Sequence, residues 1–512
     1  MFNRQVKETH SAFARRRVTR RAVLGGSLGL IALPLLQACA PEATPTPAAP
    51  AAPAAAATPA PAAATPAATP AATPAATAAA TPAAATTPAM TPAMTPAMTP
   101  AAATTPAPMA QIGGTVNVLA VWADDELESF QAMVEPFEQQ TGVTVEYEGT
   151  RDIGAVLTTR VQGGNPPDVA GLPGPGQMAE FAQSGDLINL NQVLDMQTMQ
   201  QQYPAQWMEL AEANGQQAGI FIKAALKGLI WYNPPEFQQA GYQPTNSWTQ
   251  LMDLSRRIAG TGTPPWSIGL ESGAASGWPG TDWLENIILR QAGPDVYDEW
   301  WQGQAKWTSS EIKEGWETWG EIVGDPQMVL GGRQGILATP FGEAANPLFA
   351  TPPQAFLHHQ ASFITGFITD ANPDLQPVQD FNFFPFPNIN QQHANAAEVA
   401  GDLFGMFRDT PQSRALMQWL VTPQAQEIWV RRGGAISPNR QVPLTAYPDD
   451  LSRQMAQSLV GAQIVKFDAS DLMPEAMNNA FWQAILDFVN NPGDLNAILT
   501  RLDQVQADAY KE

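Results

Sequence analysis

Three shortages bound what this sequence can do: one cysteine, four histidines, and few basic residues in most of its 512 positions. The single cysteine, Cys39, excludes a disulfide framework and any cysteine-based metal site. His358 and His359 are adjacent, so on a helix they would point about 100° apart and share no metal. Gly-x-Ser-x-Gly, His-Glu-x-x-His and the phosphate loop Gly-x-x-x-x-Gly-Lys-[Ser/Thr] are all missing, which removes the local signatures of nucleophilic, zinc and nucleotide chemistry. The longest apolar run, Ala22 to Leu36, is too short to span a bilayer stably.

What is present begins with an address. Arg15, Arg16, Arg17, Arg20 and Arg21 precede that apolar run, the arrangement of an export signal over residues 1–38. Thr19-Arg20-Arg21-Ala22-Val23-Leu24 resembles a twin-arginine signal, with Val23 and Gly25 where Phe and Lys are usual, so general secretory export also fits. Leu36-Gln37-Ala38-Cys39 resembles a bacterial lipobox and predicts a lipidated Cys39. Residues 39–110 are almost wholly Ala, Pro and Thr, too poor in apolar bulk to offset their ordering entropy. They read as a disordered tether that holds a domain away from the outer face of the cytoplasmic membrane.

Charge divides at the same boundary. Residues 1–110 hold 7 basic and 2 acidic groups of totals of 26 and 48, which leaves 19 and 46, a net of −27, for the rest. Such a domain repels phosphate backbones and anionic headgroups, so neither nucleic acid nor membrane is an expected partner, apart from the lipid anchor.

From Thr115 onward the pattern alternates strand and helix: a strand to Val121, an amphipathic helix with Leu127, Phe130, Val134 and Phe137, a strand with Val143, Val145 and Tyr147, and a helix from Ile153 to Gln162. This is the pattern of βαβ crossovers in a mainly parallel sheet, where ligands collect at the carboxyl ends of strands. A second α/β region is predicted from Lys227, with a strand over Gly228 to Asn233 and helices at Trp248 to Ile258, Asp282 to Arg290 and Glu311 to Val323. The apolar run Phe381 to Pro387 is expected to carry the chain between lobes, and a strand from Glu398 to Phe407 follows it.

Several segments together carry a family pattern. They are Phe137-Glu138-Gln139-Gln140-Thr141-Gly142, Gly164-Asn165-Pro166-Pro167-Asp168-Val169 and Ser184-Gly185-Asp186-Leu187-Ile188-Asn189-Leu190. The chain from about Gly114 resembles the family 1 extracellular solute-binding proteins of bacterial ABC importers. Gly269 to Trp283, Ser362-Phe363-Ile364 and Phe467 to Pro474 resemble its α-glucoside-binding branch. The resemblance implies a two-lobed α/β fold of the type II periplasmic-binding-protein kind, hinged between the lobes. Residues 112–225 with about 386–440 would form the first lobe, and about 226–385 with 441–512 the second. It further implies a monomer that encloses a small sugar, docks on the importer's membrane subunits, and uses neither cofactor nor metal.

A sugar needs hydrogen-bond partners for its hydroxyls and flat apolar plates for its C–H faces. Trp122, Trp231 and Trp278 are the stacking candidates, with Phe341 and Trp482 behind them; Asp168, Asp282, Gln360 and Asp402 are the polar ones. Each has a structural alternative: Asp282 fits a helix N-cap with Glu285 three residues on, and Asp168 fits a turn. Trp316 and Trp319, three apart on a helix, are assigned to the core. A secreted glycoside hydrolase with a carboxylate pair about 5 to 9.5 Å apart is the competing class.

Overall fold

A computed structural model describes residues 111–172, 174–461 and 464–511. Cys39, Arg20, Arg21 and the tether lie outside the described residues. The chain enters along β1 (Thr115–Ala120), passes through helix Asp124–Thr141 to β2 (Thr144–Gly149), and returns through helix Ile153–Gln162 to β3 (Val169–Leu172). Helix Asp124–Thr141 buries Phe130, Val134 and Phe137 on one face. It ends at Gly142, whose φ of 68° is the left-handed cap that glycine adopts without a Cβ penalty.

After a short hairpin, β4 (Glu212–Ala213) and β5 (Gln216–Gln217), come β6 (Gly219–Leu226), β7 (Leu229–Tyr232), β8 (His358–Gln360), β9 (Asn382–Pro385), β10 (Ala396–Met406) and β11 (Ile464–Phe467). The larger sheet has the order β11-β10-β3-β1-β2, with β6 along the other edge of β10. β1 pairs in parallel with β2 and β3, as expected of βαβ crossovers, while β10 runs antiparallel to β3 and β6. The smaller sheet, β8-β7-β9, is antiparallel throughout, so the parallel expectation holds only for the first region.

Two hydrophobic clusters follow these sheets. One is built on Val118, Phe130, Leu157 and Phe404, the other on Trp266, Leu284, Trp316, Trp319 and Phe481. Trp316 and Trp319 are fully buried. The segment 441–467, expected with the second lobe, packs into the first cluster through Val442, Leu451, Met455 and Phe467. The Phe381 run also departs from expectation: it forms β9 against β7, and the crossing lies downstream, between β9 and β10. Alternation across the pleat explains the run, because Phe383 faces one cluster and Phe384 the other.

Candidate functional site

The carboxyl ends of β1, β2 and β3 open on one cleft. Trp122 follows β1, Arg151 follows β2, and Gly174 and Gln177 follow β3. The facing wall comes from Trp278 at the start of helix Trp278–Gln291, from Phe341 and Phe363, and from the stretch between Asp471 and Trp482. Arg151 and Asp471 line both halves of the cleft and join them.

In the first half, Trp122 is wedged against Phe404 (5.4 Å) and Trp429 (4.7 Å), and its Nε1–H donates to Asp402 at 3.2 Å. Lys223 is a lone cation in the otherwise apolar β6. Its Nζ lies 2.6 Å from Glu126 and 3.4 Å from Asp402, and 4.7 Å from the Trp429 ring centre. Burial alone would depress this lysine, but Asp402 and Glu126 outweigh it and hold the ammonium above its ordinary pKa. Trp278 meets Phe341 edge-on at 5.1 Å and Phe363 at 5.9 Å, and the Arg151 guanidinium lies 5.2 Å from the Phe341 ring centre. Aromatic faces and fixed charges thus share one wall.

The second half differs in its polar groups. Gln177 is 4% exposed, yet neither its amide oxygen nor its nitrogen has a hydrogen-bond partner within the protein. Asn478 Oδ1 and Trp482 Nε1 are unpartnered in the same way. Buried amide and indole groups are rarely left unpaired, because each forgoes about 1–3 kcal/mol. Donors and acceptors beside an indole plate are what a polyhydroxylated ring requires. The wall is held close by Gly277, at φ 110°, where an added Cβ would stand 2.5 Å from the Trp482 carbonyl oxygen.

Beneath Trp278 lies a dry charge cluster. Lys227 Nζ is 2.8 Å from both Asp282 and Asp468, and 5.3 Å from the Trp278 ring centre. Burial pushes the Asp282 carboxyl up to about 7 against the partial opposition of Lys227, and the neighbouring Asp468 carboxylate adds to the rise. Asp468 is pulled below the usual range: burial would raise it, but Lys227 and the Ser470 hydroxyl prevail. Among the described residues, Asp282, Glu398 and Asp468 are the carboxylates close enough together to suggest a metal site. The cation seated on Asp282 and Asp468 is the lysine ammonium itself.

Of the residues chosen from sequence, Trp122, Trp278, Phe341 and Asp402 meet in the first half of the cleft and Trp482 lines the second. Four do not reach it. Asp168 stands before β3 rather than after it, accepting from the Asn117 N–H at 2.8 Å, so it clamps strands. Trp231 is fully buried on β7 and donates to the Gln360 carbonyl; Gln360 turns its own Oε1 to the Ala361 N–H. Asp282 is neither a cap nor a wall residue, because its helix starts four residues earlier, at Trp278, and points it at Lys227. His358 and His359 lie on strand β8 rather than on a helix, and both are buried. Sequence reading missed Arg151, Gln177, Lys223, Lys227 and Asn478. Lys223 and Lys227 could have been found as lone cations flanking apolar strand residues, and Arg151 by its place after a strand; Gln177 and Asn478 carry no local signal.

A model of the bacterial extracellular solute-binding protein family matches residues 123–427. The chain is 38% identical over 376 residues to the osmoprotective compounds-binding protein GgtB of Synechocystis sp., covering 73% of this chain and 88% of that one. It is 32% identical over 384 residues to the alpha-glucosides-binding periplasmic protein AglE of Rhizobium meliloti, covering 74% and 84%. A solved chitin oligosaccharide binding protein superposes with a TM-score of 0.69 at 18% identity, over 78% of this chain and all of that one. These relatives are binding proteins rather than enzymes, and in the cleft Glu126 and Asp402 are both committed to Lys223, which sets the hydrolase reading aside. The chain therefore belongs to the family 1 extracellular solute-binding proteins of bacterial ABC importers, extracytoplasmic proteins that bind a solute without transforming it, and it resembles their α-glucoside-binding branch.

Proposed function

We propose that the cleft captures an α-glucoside of disaccharide size by closure of the two lobes and presents it to the membrane subunits of an ABC importer. One observation carries this reading: aromatic plates at Trp278 and Trp482 stand with buried Gln177 and Asn478 groups that lack partners within the protein. One glucosyl unit would lie among Trp278, Phe341 and Asp402, and the second among Gln177, Asn478 and Trp482. The name of the Rhizobium meliloti relative supports the glucoside. The Synechocystis relative, at higher identity, favours a second reading in which the ligand is an osmoprotective compound.

In this proposal the protein works as a monomer, the lobe built on the first hydrophobic cluster, which includes segment 441–467, moves against the lobe built on the second, and Cys39 with its tether retains the domain at the membrane. Cys39→Ser then releases the protein from membranes with ligand affinity unchanged, and continued retention rejects the anchor. The function itself is tested by titrating the protein with trehalose, sucrose, maltose and glucose, following tryptophan fluorescence and analysing each mixture for altered sugar. Saturable binding of a disaccharide without turnover supports the proposal; hydrolysis, or silence with every sugar, overturns it.

A further inference from the structure

Three of the segments that cross between the two clusters each deliver one ionisable side chain to the same buried place. Lys227 comes from the turn between β6 and β7, Glu398 from the start of β10, and Asp468 from the residue after β11. Helix Trp278–Gln291 closes the cluster with Asp282, Glu285 and Arg290, and Tyr297, His359 and Asp471 complete its titratable surroundings.

Most of these groups are occupied. Lys227 holds Asp282 and Asp468; Glu285 accepts the Ala469 and Ser470 N–H groups; Arg290 donates to Asn286 and to the Ala396 carbonyl. Glu398 is different. It is 0% exposed, and neither of its oxygens has a hydrogen-bond partner within the protein. Its carboxyl nevertheless lies within 4.8 Å of those of Asp282 and Asp468. Lys227 is spent on Asp282 and Asp468 and Arg290 on Asn286 and the Ala396 carbonyl, and a buried carboxylate without a hydrogen-bond partner is held as the neutral acid.

We propose that Glu398 is a proton-binding site in the hinge, and that loss of its proton opens the two lobes. The proposal rests on the lobe-closing fold of the family and not on the identity of the sugar. With the proton on Glu398 the crossings pack dry against helix Trp278–Gln291. When the proton leaves to solvent, a third carboxylate competes for Lys227, water enters, and the helix parts from the crossings. Because Lys227 also underlies Trp278, the change reaches the wall of the cleft.

The direction with pH follows from the same geometry. Burial first, then Asp282 and Asp468, raise the Glu398 carboxyl well above its ordinary value, against Lys227 and Arg290. The folded chain thus keeps a proton that the unfolded chain releases. Stability from this group is full below the ordinary glutamate value and falls as pH rises toward the folded value, by up to about tenfold in the folded-to-unfolded ratio per pH unit.

The test uses the full-length protein without sugar, from about pH 5 to about pH 9, the range over which a raised carboxyl titrates. Small-angle scattering reports lobe opening, and infrared difference spectra report the carboxylic-acid C=O stretch. Wild type is expected to expand with rising pH while it loses that band, and Glu398→Gln, the neutral isostere, to stay compact and to lack that component of the band. The same pH dependence in Glu398→Gln, or no expansion in wild type, overturns the proposal. If Glu398→Gln does not fold, wild-type spectra decide alone: no acid band at the low-pH end overturns it. No readout involves a sugar, so failure here leaves the substrate reading intact, and failure of the substrate reading leaves this one intact.

Discussion

Two polar regions adjoin the start of helix Trp278–Gln291, Lys227 under Trp278 and Trp482 against Gly277, and they are solved in different ways. At the Lys227 cluster the chain supplies partners to Lys227, Asp468, Glu285 and Arg290, leaving Glu398 and His359 without one, and the paired residues serve to join three crossings to one helix. At Gln177, Asn478 and Trp482 it supplies none. The contrast separates acids and amides that hold the fold from those positioned for a solute, which residue type alone cannot do.

Substitutions sharpen that contrast by moving different observables. The largest effect belongs to Lys227→Met: two buried carboxylates lose their counter-ion, and stability should fall by about 3–5 kcal/mol in a denaturant titration. A change under about 1 kcal/mol would mean the cluster is already neutral or hydrated. Asp168→Ala strips the partner from the Asn117 N–H and should cost about 1–3 kcal/mol of stability while sugar affinity stays put; a selective loss of affinity would return Asp168 to the site. Gln177→Ala should do the reverse, weakening sugar binding roughly tenfold with an unchanged unfolding midpoint, because no internal hydrogen bond is lost. If its midpoint falls instead, Gln177 belongs with the structural group. Smallest is Thr422→Ala, which removes a side-chain cap from the Ala425 N–H outside the cleft lining and should cost about 1 kcal/mol with no effect on binding.

The fold was largely readable because periodicity is local. Helix Ile153–Gln162 falls where the pattern predicted, and Phe130, Val134 and Phe137 are buried on one face of the first helix as their spacing implied. The antiparallel pairing of β7 with β8 and β9 was not, since it joins segments about 130 and 150 residues apart with no hairpin turn between them. The site was half readable. Aromatic residues at strand ends and in the glycine-rich loop, Trp122 and Trp278, do reach the cleft. Asp282 and Gln360 misled because an acid or amide reads alike whether it faces a lysine, a backbone amide or a sugar. The hinge cluster was invisible, since Lys227, Asp282, Glu398 and Asp468 are brought together only by three separate crossings.

The most direct test of the account is a crystal structure of the protein with the disaccharide that binds it. Sugar hydroxyls within about 3.2 Å of the Gln177 amide, Asn478 Oδ1 and Trp482 Nε1, with a ring face against an indole, are the predicted result. A sugar seated elsewhere, with those groups still unpartnered, would contradict it.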